Sequence, residues 1–290
     1  MKPAPFLYHA PATLDEALAL LAEHGDEAKV LAGGQSLVPT MNFRLAQPSV
    51  LIDLNRIGGL DAIHEDENGG LSIGAMTRQR AVERSALVAE RAPLVHETMP
   101  FIAHPQIRNR GTFGGSIAHA DPAAELPAVM LALEADFVLR SARGERRLPA
   151  SRFYTGLFET ALEPEEILVD VEIPGLPPGT GWAFREVSRR HGDYALVGAA
   201  ALLTLDGGVC TDARITFLSV GEGPTEAVAA GRGLRGQPLT EDAVEAAAVT
   251  ASTTDIDPPA DIHASEAYRR HLAKVLTRQV LNAAAERART

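Results

Sequence analysis

Two glycine pairs carry the most chemistry in this sequence: Ala32-Gly33-Gly34-Gln35-Ser36-Leu37 and Thr112-Phe113-Gly114-Gly115-Ser116. Each stands beside small or hydroxyl residues and ahead of a segment with helical character. Adjacent glycines admit positive φ and let the backbone approach a ligand without Cβ interference. Successive amides at a helix start form a concavity for anions. Two such loops, far apart in sequence, could grip the two phosphates of a dinucleotide from opposite sides. Taken alone, the first loop reads equally well as a tight strand-to-helix turn. The second is followed by Asp121 and Glu125, carboxylates suited to accept hydrogen bonds from sugar hydroxyls and equally to complement the positive end of a helix. Residues 182–195 set Trp182, Phe184, Arg185, Arg189, Arg190 and Tyr194 around Gly192. An aromatic there could stack on a planar ring and an arginine could meet an anion, against the plainer reading of a strand ending in a charged turn.

Other motifs are weaker. Gly231-Arg232-Gly233-Leu234-Arg235-Gly236 has the spacing of a dinucleotide fingerprint, but Glu226-Ala227-Val228-Ala229-Ala230 before it is helical in character, so the required strand is missing. The nine histidines show no ligand spacing; His104, His119 and His191 lie near the loops above and read first as hydrogen-bonded or surface residues. No metal site is expected, and no acid–base pair or nucleophile stands out as catalytic.

The elements that must position these loops follow from patterning. Residues 6–9 read as a short strand. Thr13 and Glu16 form a capping box for a helix whose Leu14, Ala17, Leu18 and Leu21 share one face, with Gly25 as its stop. Residues 29–32 form a strand entering the first loop, a short helix follows, and residues 50–54 form another strand, giving a β-α-β-α-β unit with some parallel pairing. Residues 71–74 read as a strand, with Thr77 capping a helix through Val88. A helix starts at Asp121 with Pro122 in its first turn and runs to Leu133. Strands are expected at 137–139 and 167–173, then a linker at Pro174-Gly175-Leu176-Pro177-Pro178-Gly179. Beyond it come antiparallel strands at 182–187, 195–205 and 215–220, with Asp206-Gly207-Gly208 as a hairpin turn, and helices at 241–251 and 266–288.

The chain of 290 residues is longer than one core usually takes, so two or three subdomains are expected. With 46% hydrophobic and 22% charged residues it has a globular composition. A formal net charge of −11 argues against nucleic-acid or anionic-membrane partners. No apolar run approaches the roughly 20 residues of a bilayer span, and the N-terminal residues lack a secretory h-region, so a cytoplasmic location is expected. The sole cysteine, Cys210, excludes an internal disulfide and a cysteine-ligated cluster on this chain alone.

Together the motifs resemble the flavin-binding medium subunit of the molybdenum hydroxylases, the family of bacterial carbon monoxide dehydrogenase, and the central flavin domain of xanthine dehydrogenase. The matching residues are 32–37, Arg110 to Pro122, Arg189-Arg190-His191-Gly192-Asp193-Tyr194-Ala195, Asp257-Pro258-Pro259-Ala260-Asp261 and Tyr268-Arg269-Arg270, co-linear over essentially the whole chain. The resemblance implies an α+β protein: a two-subdomain PCMH-type FAD-binding domain over residues 1–176 (subdomains about 1–56 and 57–176), then a C-terminal domain of antiparallel sheet plus helical bundle over 177–290. It implies non-covalent FAD held by Leu31, Ala32, Gly33, Gly34, Gln35, Ser36 and Leu37 and by Thr112, Gly114, Gly115 and Ser116, with Asp121 and Glu125 as acceptors. Ile102, Leu168, Phe184 and Arg185 fall at flanking positions. Glu125 stands where the family commonly has Asp, Arg185 where it has Lys, Phe184 where some members have Tyr next to the ring, and Gln35 where His is frequent. The resemblance further implies partners: a small subunit with [2Fe-2S] clusters and a large subunit with the molybdenum cofactor, assembled as a dimer of heterotrimers. Substrate chemistry would then occur on the molybdenum subunit. The alternatives are a self-sufficient FAD-dependent oxidoreductase acting on its own small substrate, and an assembly module without FAD.

Overall fold

The computed structural model describes residues 1–66 and 69–289. The N-terminal unit is a three-stranded parallel sheet in the order β1-β3-β2. Strand β1 (Leu7–His9) leads through helix α1 (Leu14–His24) to β2 (Ala28–Leu31), and helix α2 (Leu37–Asn42) connects β2 to β3 (Val50–Asp53). Thr13 caps α1 by accepting from the Glu16 amide at 3.2 Å. The return arm of the expected capping box falls one residue early, where the Ala12 amide donates to Glu16 Oε2 at 2.9 Å. Ala17, Leu18 and Leu21 of α1 pack with Val50 and Ile52 in one core.

The next unit begins with β4 (Ile63–Glu65) and β5 (Leu71–Gly74). Six short helices follow: α3 (Gln79–Arg84), α4 (Ala86–Arg91), α5 (Pro93–Thr98), α6 (Pro105–Arg108), α7 (Phe113–His119) and α8 (Glu125–Ala132). Then come β6 (Asp136–Ser141), β7 (Gly144–Pro149), α9 (Ala150–Phe153), the hairpin β8 (Tyr154–Gly156) and β9 (Glu159–Thr160), and β10 (Ile167–Ile173). The sheet is antiparallel, in the order β4-β5-β10-β6-β7. The single helix expected from Thr77 to Val88 is two helices. Ser85, in an extended conformation, ends α3 and caps α4 by accepting from the Val88 amide. Thr77 caps nothing; its hydroxyl is buried without a protein partner.

The last unit is the antiparallel sheet β11 (Thr180–Ser188), β12 (Ala195–Asp206), β13 (Val209–Leu218) and β14 (Thr225–Glu226), followed by α10 (Val228–Leu234), α11 (Glu241–Thr253) and α12 (Glu266–Ala288). Gly207 and Gly208, at φ +56° and +86°, make the β12–β13 turn, as two-residue hairpins require. The sheet is covered on both faces, so β12 reads as an unbroken apolar run rather than an alternation. One face carries Phe184, Ala200, Leu202 and Leu218 into the core of the preceding unit, and the other carries Ala183, Leu203 and Phe217 toward the helices. Helix α12 lies so close to β11 that a Cβ on Gly181 would fall 1.8 Å from the Ala284 carbonyl oxygen. The Gly231–Gly236 motif begins inside α10, as its helical flank implies.

Candidate functional site

The first glycine loop leaves the carboxyl end of β2 and enters α2. Of the four paired glycines only Gly34 has positive φ, +72°. The Gln35 side-chain Nε2 donates to the Gly33 carbonyl at 3.0 Å and braces the turn. The backbone amides of Gly33, Gly34, Gln35 and Ser36 reach no protein acceptor among the described residues. These half-buried donors at the head of a helix suit an anionic ligand.

The second pair lies inside a helix rather than ahead of one. Thr112 caps α7, accepting from the Gly115 amide at 3.1 Å. The Phe113 and Gly114 amides donate to the carbonyls of Thr77 and Ala75, and that of Ser116 to Thr112. These amides are spent within the protein. The glycines serve closeness instead: a Cβ on Gly114 would fall 2.4 Å from the Ala75 Cβ, and one on Gly115 would fall 2.5 Å from Thr112 Oγ1.

The two loops do not face each other across a gap, as expected from their separation in sequence. They touch: a Cβ on Gly33 would fall 2.6 Å from the Arg110 carbonyl oxygen and 2.7 Å from the Gly111 Cα. Asn55 and Arg78 staple them together. Asn55 Nδ2 donates to the Ala32 carbonyl at 2.9 Å, and Arg78 donates to both Asn55 Oδ1 and the Arg110 carbonyl. Asp53 anchors Asn55 and accepts from the Tyr8 hydroxyl at 2.6 Å. Burial would raise the Asp53 carboxyl, but the hydrogen bonds from Tyr8 and Asn55 outweigh it and hold the group ionised. None of these three staple residues carries a motif, and the sequence reading did not single them out.

Beyond α7, Ala120 sits at φ +51° and turns the chain. Helix α8 then starts at Glu125, not Asp121. Asp121 Oδ1 accepts from the Ala123 amide at 2.9 Å, closing a turn of its own instead of opening the helix. Glu125 is 8% exposed, and burial pushes its carboxyl up to about 7; its own amide opposes this and Asp121 adds to it. Glu186 on β11 is pushed up to about 8, first by burial and then by Glu125, and its Oε2 is buried without a protein partner. Glu186 lies in no motif of the sequence. Its signal was parity: it lies two residues beyond the inward-facing Phe184 on the same strand face.

The flanking residues divide. Ile102 and Leu168 are buried, and the Ile102 carbonyl accepts from Arg108, itself paired with Glu83 at 2.9 Å. Phe184, expected beside a bound ring, is fully buried edge-on against Phe101 at 5.2 Å. Tyr194 is 68% exposed and interacts with Asp121. Arg185 is held by Glu97 at 2.7 Å, which also pairs with Arg287.

Free amides at the end of a parallel sheet, a wall of close-packed glycines and nearby carboxyls define a binder of a phosphate-bearing nucleotide cofactor. Two family models cover the chain: the FAD binding domain in molybdopterin dehydrogenase over residues 4–176 and the CO dehydrogenase flavoprotein C-terminal domain over residues 182–284. The 6-hydroxypseudooxynicotine dehydrogenase complex subunit alpha of Paenarthrobacter nicotinovorans is 44% identical over 100% of this chain and 97% of the relative. The carbon monoxide dehydrogenase medium chain of Hydrogenophaga pseudoflava is 40% identical over 98% of each. Among solved structures, the carbon monoxide dehydrogenase of that organism superposes with a TM-score of 0.96 at 42% identity, covering 99% of both chains. Quinoline 2-oxidoreductase from Pseudomonas putida 86 gives 0.94 at 42% identity, covering 100% of both. The chain therefore belongs to the FAD-binding medium-subunit family of the molybdenum hydroxylases. No described helix is long and apolar enough to cross a membrane, and no group of metal-ligating side chains occurs among the described residues.

Proposed function

We propose that this chain is the electron-transfer flavoprotein of a molybdenum hydroxylase: it holds FAD non-covalently between [2Fe-2S] clusters of a small partner subunit and an external acceptor, while substrate is hydroxylated on a large molybdenum subunit. The observation that carries the reading is the set of four amides at Gly33–Ser36 that meet no protein acceptor among the described residues. Bound FAD would supply the redox chemistry of electron transfer. The chain supplies binding, orientation and charge. The Leu31–Leu37 segment offers backbone donors to the pyrophosphate. Thr112, Gly114, Gly115 and Ser116 form the adjoining wall, where small side chains permit close approach. Asp121 and Glu125 accept from sugar hydroxyls. Ile102 and Leu168 close the apolar side, Tyr194 rather than Phe184 offers the aromatic face, and Arg185 sets charge at the rim. The assembly proposed with it is a cytoplasmic dimer of heterotrimers.

The test is an absorbance spectrum of the purified chain before and after adding FAD, with identification of flavin released by heat. Near-stoichiometric, non-covalent FAD and no turnover of organic substrates by the isolated chain are expected. Turnover without partners would instead establish a self-sufficient oxidoreductase. A chain that stays colourless even when co-expressed with its partners would overturn the assignment.

A further inference from the structure

Arg269 is a buried cation far along the chain from either glycine loop, yet its contacts lead to the cleft. It lies in the first turn of α12 and is 5% exposed. Its guanidinium donates to the carbonyls of Leu196 and Ser219 and to Asp261 Oδ2, the last at 2.6 Å. Asp261 is itself held by the amides of His263 and Ala264 at 2.8 and 2.9 Å. Burial would raise the Asp261 carboxyl, but those amides and Arg269 outweigh it and hold that carboxyl below its ordinary value.

The two carbonyls that Arg269 grips are not ordinary strand positions. Leu196 is the second residue of β12, two residues beyond Tyr194, at the register irregularity where Val187 pairs with Val197 but Ser188 pairs with Ala195. Ser219 follows β13 at φ +63°, a conformation unfavourable for a residue with a side chain, so its surroundings must hold it there. Its amide donates to the Pro122 carbonyl at 2.8 Å and its hydroxyl to the Ala195 carbonyl at 2.8 Å. One guanidinium thus ties together the entry to β12, the exit of β13 and, through Ser219, the turn that carries Asp121. A planar fork can span two carbonyls and a carboxylate at once; an ammonium cannot reproduce that geometry.

We propose that Arg269 is a positioning residue for the flavin cleft: through Leu196 and Ser219 it fixes the Tyr194 segment against the Asp121–Pro122 turn. This rests on the reading above that Asp121 and Tyr194 border bound FAD. Arg270 supplies the control. It makes a comparable set of bonds, to the carbonyls of Ser252 and Ile256 and to Asp257 and Glu266, but all of them stay among the C-terminal helices and their connections.

The experiment compares Arg269→Gln, Arg269→Lys, Arg270→Gln and Glu125→Ala in the full chain, titrated with FAD below the onset of thermal unfolding of each variant. Fluorescence quenching gives affinity, and visible circular dichroism of the bound flavin gives its environment. Loss of charged hydrogen bonds at Arg269 should weaken FAD binding roughly tenfold and change the flavin dichroism, while Arg270→Gln leaves both as in the wild type. Arg269→Lys should recover part of the affinity. Wild-type binding by Arg269→Gln, or equal weakening by Arg270→Gln, would overturn the inference. If Arg269→Gln does not fold, Arg269→Lys decides on the same readouts, with wild-type affinity and dichroism counting against. Weakening in Glu125→Ala with none at Arg269 sinks the inference alone; no weakening at either position sinks the cleft reading as well.

Discussion

In the first glycine loop the amides of Gly33, Gly34, Gln35 and Ser36 meet no protein acceptor among the described residues, whereas in the second those of Phe113, Gly114, Gly115 and Ser116 all end on protein oxygens. The same dipeptide therefore does two jobs. One loop leaves its donors without a protein acceptor among the described residues; the other gives them up to fix a helix against Ala75 and Thr77. The pairing also splits the polarity of the site, with donors on the β2 side and the carboxyls of Asp121 and Glu125 beyond α7. A Gly-Gly pair announces close approach, and only the hydrogen-bond inventory tells whether the approaching group is a cofactor or another part of the chain.

The sharpest way to break this contrast is Gly114→Val. Its side chain would enter the space of Ala75, so the expected outcome is a fold destabilised by roughly 1–3 kcal/mol or more, with FAD lost as a consequence. Thermal melts of the apo protein read this directly, and an unchanged melting temperature would show that the second loop is not the structural one. Gly33→Ala should behave differently. Its Cβ would push the loops apart at Arg110, and FAD affinity should fall roughly tenfold for a smaller change in stability. A FAD titration beside the same melts separates the two effects.

The smallest expected effect concerns the acceptor side. Sugar hydroxyls favour the ionised carboxylate, whereas burial holds Glu125 near 7, so binding should release a proton. FAD affinity should then rise with pH up to about 7, by at most roughly tenfold per unit, and Glu125→Gln should flatten the slope. Without FAD the sign reverses for stability. A carboxyl raised from 4.5 to about 7 stabilises the fold below its unfolded value, and that contribution is lost as pH rises through about 7. Apo melts across this range should show the decline, and Glu125→Gln should lessen it.

Much of this architecture was legible. The Thr13 cap, the bounds of β10 and α12, and the Gly207-Gly208 turn all follow from local rules that tertiary contacts did not override. What escaped has identifiable causes. Strand β7, Gly144–Pro149, is an arginine-rich edge strand with no alternating apolar signal; Arg146 and Arg147 pair instead with Glu166 and Glu172. The start of α8 was read four residues early because an Asp-Pro pair suits a helix head as well as a self-closing turn. Phe184 is fully buried because β11 is covered on both faces, which composition within a strand does not reveal. The staple of Asp53, Asn55 and Arg78 joins segments whose proximity exists only in three dimensions.

That staple has a consequence for how cofactor is taken up. Asn55 and Arg78 bridge the carbonyls of Ala32 and Arg110 within the protein itself, so the spacing of the two glycine loops is set before any ligand arrives. Little ordering remains to oppose binding at that end. The exposed Tyr194 turn at the far rim is likewise tied, through the Leu196 carbonyl, to Arg269, so both ends of the proposed cleft are braced by bonds internal to the chain.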